Sequence, residues 1–253
     1  LLAMICARAS SNINEITACE VNPVVADLCE QTIKDNELDK RIKLIRKKST
    51  NMFVGHDMNE RADMLVCEVI ADNVISEGMI KTINHAHDQL LNDGATLIPK
   101  RACLYGVLIQ DKTLSDLTYF PDDVNGFKVP SMKSVLNDNI FYPSEEFART
   151  QESTTYLSNH FELFDFNFTR RVNTQDEKLI TCAIANEGEV HGILLYFTLN
   201  VDDDIVINSL DSTSCWIPKF IPLHGGKKVQ KGDELKLKCS YTSGLPFINV
   251  EWL

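Results

Sequence analysis

Two glutamates nine positions apart, Glu68 and Glu77, bracket the run Val69-Ile70-Ala71-Asp72-Asn73-Val74-Ile75-Ser76. The apolar residues 64–67 ahead of them read as a buried strand, and Gly78 behind them opens a helical pattern. A carboxylate at a strand exit, with a second one brought back by a short loop, makes an acidic pincer. A planar cation with forked N–H donors is its natural guest. The same spacing also suits a turn cap at Glu68 and a solvated helix lead-in at Glu77, since most glutamates are solvated. Glu20 is a third candidate. It ends the strand-like residues 15–21, where an acid in a doubly wound sheet can bind the two hydroxyls of a ribose. Its alternative is plain exposure at a strand end.

Other polar clusters are weaker. His85 and His87 stand two apart and do not share a helical face, so packing or surface roles suit them better than metal ligation. Asp202-Asp203-Asp204 lacks the remaining ligand spacing of a calcium loop and reads as a solvated turn. No metal site is expected.

These residues need elements to position them. Residues 1–8 read as a buried helix, 15–21 as a strand, 23–36 as a helix with Pro23 in its first turn, 41–46 and 62–68 as strands, and 78–91 as a helix. Strands alternating with helices predict an open α/β sheet. Beyond Ala95 strand-like runs dominate: 102–110, 161–168, 179–185, 190–201, 234–241 and 247–253. That half predicts a β domain, a barrel or sandwich. A helical insertion interrupts it near 125–154. Pro99 marks the boundary, giving domains 1–98 and 99–253.

The bulk numbers narrow the partners. A chain of 253 residues suits one large or two small domains. Its net charge of −11 disfavours nucleic-acid phosphate and favours Arg- or Lys-rich partners. No apolar run approaches the ~20 residues of a membrane helix. The 8 cysteines form no CxxC pair and sit mostly in apolar stretches, which predicts reduced thiols in a cytoplasmic or nuclear protein. The opening Leu-Leu-Ala-Met-Ile-Cys-Ala reads as a helix interior cut from its beginning.

Taken in order, Leu-Leu-Ala-Met, Ala-Cys-Glu-Val, Lys-Ser-Thr, Cys-Glu-(eight residues)-Glu-Gly and Gly-Ala-Thr-Leu-Ile-Pro resemble the protein arginine N-methyltransferases. The likeness spans nearly the whole chain. It is nearest to the divergent tandem-module members numbered nine and seven, as the His-Ala-His-Asp-Gln-Leu-Leu and Leu-Leu-Tyr-Phe-Thr-Leu-Asn-Val-Asp-Asp runs also suggest. The resemblance implies a Rossmann-like sheet, incomplete at its start, then a β-barrel-like domain with a dimerisation arm over 126–154. It implies S-adenosylmethionine as methyl donor, held by Glu20 at the ribose and by Lys48 and Ser49 around the adenine. Glu68 and Glu77 would grip a substrate guanidinium. Ser214-Cys215-Trp216 would stand for the family's Thr-His-Trp, with Trp216 and Cys215 lining the arginine pocket. Trp216 is equally suited to the core of the β domain. Cys215 in place of His removes a proton relay, and Ala71 and Asp72 depart from the bulky residues common between the glutamates, Asp72 adding negative charge. The arm, with Phe127, Val129, Met132, Val135 and Phe141 as its apolar face, would give a homodimer or a pseudo-dimer with a second module. The expected activity is arginine methylation of protein substrates, mono- and symmetric di-; the alternative is a non-catalytic scaffold module of a tandem enzyme. The 253 residues alone are expected to catalyse weakly or not at all.

Overall fold

A computed structural model of the chain describes residues 1–9, 12–13, 15–118, 121–129, 154–211, 213–243 and 248–253. They fall into two compact units. One gathers 1–69, 79–100 and 167–172; the other gathers 70–78, 101–166 and 173–253.

The first unit runs α1 (Leu2–Ala9), β1 (Ile16–Cys19), α2 (Pro23–Asp35), β2 (Ile42–Ile45), β3 (Ala62–Val66), α3 (Met79–His85) and β4 (Leu91–Ile98). Asn22 starts α2: its side chain accepts the Val24 and Val25 amides at 3.0 and 3.3 Å, and Pro23 supplies a preset φ where no N–H is needed. β1 and β2 pair in parallel, Ile16 opposite Ile42 through Cys19 opposite Ile45. β3 and β4 form a second parallel pair. Ala7, Ile33, Leu38 and Ile42 make the core beneath the first pair.

Three expectations are corrected here. Helix α1 is not buried: Ala7 alone is, while Leu2 and Ile5 face solvent. Its apolar residues surround the axis, and only one side meets the Ile33–Ile42 cluster. The strand before Glu68 is not fully buried either, since Met64 is 46% exposed. Among the described residues β3 pairs with β4 alone, so one edge and part of a face stay open. The helix expected over 78–91 ends at His85 and widens into a single turn, Ala86–Leu90. Arg61 donates to the carbonyls of Asp88 and Leu91 at 3.0 and 2.7 Å, satisfying the helix end as β4 begins.

The second unit contains β5 (Arg101–Gln110), α4 (Lys112–Leu117), β6 (Asp123–Val124), β7 (Phe127–Lys128), β8 (Thr155–Tyr156), β9 (Phe161–Asn167), β10 (Gln175–Ala183), β11 (Gly188–Asn200), β12 (Val206–Asn208), β13 (Lys219–Val229), β14 (Glu234–Thr242) and β15 (Ile248–Trp252). β11 is central. β5 lines one edge of it, while β13 and β12 share the other. Every residue from 190 to 197 is buried, which explains the apolar run from Gly192 to Phe197. β8 and β9 also pair with β5, and β10, β14 and β15 form a separate antiparallel sheet. Among the described residues these sheets do not close into a barrel.

β13 escaped the sequence pattern because Pro222, Gly225 and Gly226 interrupt it. Among the described residues it pairs only with β11, and an edge strand tolerates proline. The insertion leaves and returns near Asp111, which caps α4 through the Leu114 amide at 3.0 Å and accepts the Thr154 hydroxyl at 2.8 Å. Of the expected arm, 130–153 lie outside the described residues, with Met132, Val135 and Phe141. Phe127, on β7, is exposed.

Gly192 sits where β13 crosses closest to β11. A Cβ there would stand 2.3 Å from the Ile221 carbonyl oxygen and 2.5 Å from the Phe220 ring. Gly192→Ala is expected to cost about 1–3 kcal/mol by forcing the two strands apart. Urea unfolding followed by circular dichroism should show the lower midpoint.

Candidate functional site

In open parallel sheets, ligands gather outside the carboxyl ends of the strands. Four of the expected residues lie there. Glu20 directly follows β1; its amide donates to the Ile45 carbonyl at 3.0 Å, and its Oε1 accepts the Asn22 amide at 2.7 Å. Lys48 and Ser49 follow β2, with Ser49 opening a short helical turn to Asn51 and Lys48 exposed. Glu68 stands two residues beyond β3 and is exposed. The ends are neighbours: the Glu20 amide donates to the Ile45 carbonyl, and the Cys67 thiol feels both Glu68 and Cys19.

A residue missed by sequence reasoning holds this edge. The side chain of Asp57 is 5% exposed. It accepts Lys47 Nζ at 2.6 Å and the Phe53 amide at 3.1 Å, with His56 Nδ1 at 3.2 Å, so it fixes the segment carrying Lys48 and Ser49. The Lys47 ammonium, aided by the Phe53 amide, holds the Asp57 carboxyl down at about 2. Only the spacing Lys47–Asp57 hinted at it, and that spacing has no motif.

The loop 70–78 belongs to the second unit, together with Glu77. Ile70, Val74 and Ile75 are buried, anchoring it by apolar contact. Asn73, 2% exposed, accepts the Ile75 and Ser76 amides at 3.3 and 3.0 Å. Val74 holds φ 73°, a left-handed conformation that a β-branched side chain adopts only under constraint. Glu77 itself is exposed. Among the described residues neither Glu68 nor Glu77 has a hydrogen bond or an ion pair.

Trp216 braces this loop. Its ring meets Phe197 of β11 edge-on at 5.2 Å between centroids, and its Nε1 donates to the Ile70 carbonyl at 2.8 Å. It is half-buried, so its packing and pocket roles are compatible. Cys215 beside it is exposed. Asp72 does not carry a free negative charge, as the sequence suggested: its Oδ1 accepts the Ile217 amide at 2.9 Å and its Oδ2 accepts the ammonium of buried Lys219. Lys219 was missed because β13 was missed.

The two histidines pack. His85 Nε2 lies 2.9 Å from the Met52 carbonyl oxygen, and His87 Nε2 lies 2.9 Å from that of Phe168. Asp202 accepts the amides of Asp204 and Ile205, making a turn. Among the described residues no three metal-ligating side chains come together, and no helix is long and apolar enough to cross a membrane.

Two predictions follow from these environments. A carboxyl depressed in the folded chain contributes stability above its ordinary value near ~3.9, and that contribution is lost as pH falls toward about 2. Replacing Asp57 by Asn should therefore weaken the protein at neutral pH and flatten the pH dependence of its melting temperature between those values. Burial, then the Glu68 charge, pushes the Cys67 thiol up to about 12, and burial does the same to Cys182 and Cys239. Exposed Cys215 should be alkylated by iodoacetamide well before those three, as peptide mass spectrometry will read.

No protein-family model matches the chain. It is 27% identical over 214 residues to protein arginine N-methyltransferase 7 of Oryza sativa subsp. indica, covering 80% of this chain and 30% of that protein. It is 28% identical over 268 residues to protein arginine N-methyltransferase 1.6 of Arabidopsis thaliana, covering 96% and 37%. An arginine N(omega)-methyltransferase of Streptomyces achromogenes subsp. streptozoticus is 25% identical over 250 residues, covering 96% and 66%. The chain thus spans about a third of the length of the first two relatives. Among solved structures, the Trypanosoma brucei PRMT1 enzyme–prozyme heterotetrameric complex with AdoHcy matches with a TM-score of 0.79 at 16% identity, over 94% of this chain and 74% of that one. At that identity the likeness is one of fold alone. In sequence this chain is similar to protein arginine N-methyltransferases, and in fold it is similar to a solved one.

Proposed function

We propose that the protein transfers a methyl group from S-adenosylmethionine to a guanidinium nitrogen of arginine in protein substrates, giving monomethyl and symmetric dimethyl products. One observation carries this reading. Glu68 and Glu77 are solvent-facing carboxylates without a partner among the described residues, on a backbone otherwise held by buried contacts. Carboxylates left uncompensated while their loop is fixed suit an incoming cation.

The donor set fits the methyl donor. Glu20 lies at the carboxyl end of a parallel strand with only Oε1 engaged by the Asn22 amide, which leaves an acceptor for ribose hydroxyls. Lys48 and Ser49, held in place through Asp57, would border the adenine. When bound, S-adenosylmethionine supplies an electrophilic methyl on a sulfonium. The chain's task is then positioning and electrostatics. Arginine keeps its charge at neutral pH. Glu68 and Glu77 would accept N–H bonds from two guanidinium nitrogens, concentrate positive charge there, and leave electron density on the third. Trp216 and Cys215 would border the substrate side chain. The methyl–sulfur bond would break as the new carbon–nitrogen bond forms, S-adenosylhomocysteine would leave as the thioether, and, with no imidazole at Cys215, the guanidinium proton would pass to solvent.

On this division of labour, residues 1–98 bind the donor and supply Glu68 and Glu77 to the guanidinium, while residues 99–253 border the rest of the substrate. Association with a second copy or module through the arm at 126–154 would follow from the same reading, and Val24 and Leu28 on α2, 67% and 63% exposed, leave an apolar face open to a partner. The Streptomyces relative, named for arginine alone, makes free arginine the natural control substrate.

In the intact protein, Glu77→Gln should lower kcat on an arginine-rich peptide by ~100-fold, with donor affinity by calorimetry unchanged. An unaltered rate overturns the assignment of Glu77. Absence of donor binding by the wild type favours a scaffold, and methylation of free arginine but not of the peptide changes the substrate class.

A further inference from the structure

The strip 216–219 makes three hydrogen bonds to residues 70–72 within the second unit. Trp216 Nε1 donates to the Ile70 carbonyl at 2.8 Å, the Ile217 amide to Asp72 Oδ1 at 2.9 Å, and Lys219 Nζ to Asp72 Oδ2. Lys219 is the costly member. Its side chain is 2% exposed, and it stands opposite Leu195 on buried β11. An ammonium taken out of water is strongly destabilising unless a carboxylate faces it, and removing either partner leaves a buried charge. The register of Asp72 against Lys219 is therefore far more tightly specified than apolar contact would make it.

Asp72 lies between the two candidate glutamates, four residues after Glu68 and five before Glu77 (68, 72, 77). Beyond it the chain enters the Asn73 turn and the left-handed Val74, and then reaches Glu77. A turn that holds a valine at φ 73° needs a fixed point outside itself, because the strain would otherwise relax. The pair supplies that point. Desolvation pulls the Lys219 ammonium below its ordinary value while Asp72 opposes this, the balance of a charge kept by its partner.

We propose that Lys219, acting through Asp72, is a positioning residue for the arginine-binding carboxylates: it sets the loop 70–78 and so the placement of Glu77. This rests on the proposed arginine methylation. Asp72 commits its carboxylate to Lys219 and to the Ile217 amide. Their effect is on how productively a bound guanidinium is held, so they act on kcat more than on KM.

The test uses the intact protein with Asp72→Asn, Lys219→Met and Lys219→Arg, read by amide hydrogen exchange over 73–78 and by steady-state methylation of an arginine-rich peptide. Asp72→Asn and Lys219→Met should speed exchange across 73–78 and lower kcat by ~10–100-fold, the scale of an ångström-sized misplacement, with KM and donor affinity little changed. Lys219→Arg, which keeps the charge, should recover most of kcat. Unchanged exchange in 73–78, or faster exchange with unchanged kcat, overturns the proposal. Equal losses in donor affinity and kcat, with no recovery in Lys219→Arg, reduce the pair to general stability and overturn it as well. If the wild type shows no methyl transfer, the arginine reading fails, and the exchange data alone decide whether the pair sets the loop.

Discussion

A lysine ammonium buried to 2% exposure has to be answered by a carboxylate, and in this chain the carboxylate comes from 147 residues earlier. That single requirement ties Asp72 to the start of β13 and brings Trp216 and Ile217 onto the same loop. It explains why 70–78 is packed with the β strands although its neighbours in sequence, Val69 and Met79, are packed with the parallel pairs. The loop is fixed by three polar bonds at one end and by buried Val74 and Ile75 in the middle, and Glu77 is presented to solvent at its far end.

The parallel pairs do complementary work. Strands that run in parallel end on one side, so the residues just past them collect there whatever their distance in sequence. Glu20, Lys48, Ser49 and Glu68 are such residues. Asp57 then stiffens the stretch between β2 and β3 by accepting from Lys47 and Phe53, on either side of Lys48 and Ser49. Glu20, Lys48, Ser49 and Glu68 are thus held by strand topology, and Glu77 by a salt-bridged loop. Variation in one need not disturb the other, which gives the departures at Ala71, Asp72 and Cys215 a physical setting.

Much of this was legible in the sequence where one physical signal dominated. The Pro23 start of α2, the short alternating β2 and the apolar run of β11 each announced their element. The places of Glu20 and Glu68 just past parallel strands could be read from the strand pattern. What escaped depended on partners far along the chain. β4 hid behind Asn92-Asp93-Gly94, and β13 behind Pro222 and two glycines, because pairing with an already formed neighbour overrode weak local preference. Met64 and α1 looked buried because apolar residues signal burial only when something covers them. Asp72 looked like an added charge on a pocket because Lys219, its partner, lay on the strand that the pattern had hidden.

The central claim is that the edge bearing Glu20 receives a methyl donor while Glu68 and Glu77 receive a guanidinium. It is tested most directly by a crystal structure of the intact protein with S-adenosylhomocysteine and an arginine peptide. The account predicts the ribose hydroxyls on the Glu20 carboxylate and the guanidinium bonded to both Glu68 and Glu77. A nucleoside bound away from Glu20, or an arginine side chain that engages neither glutamate, would contradict it.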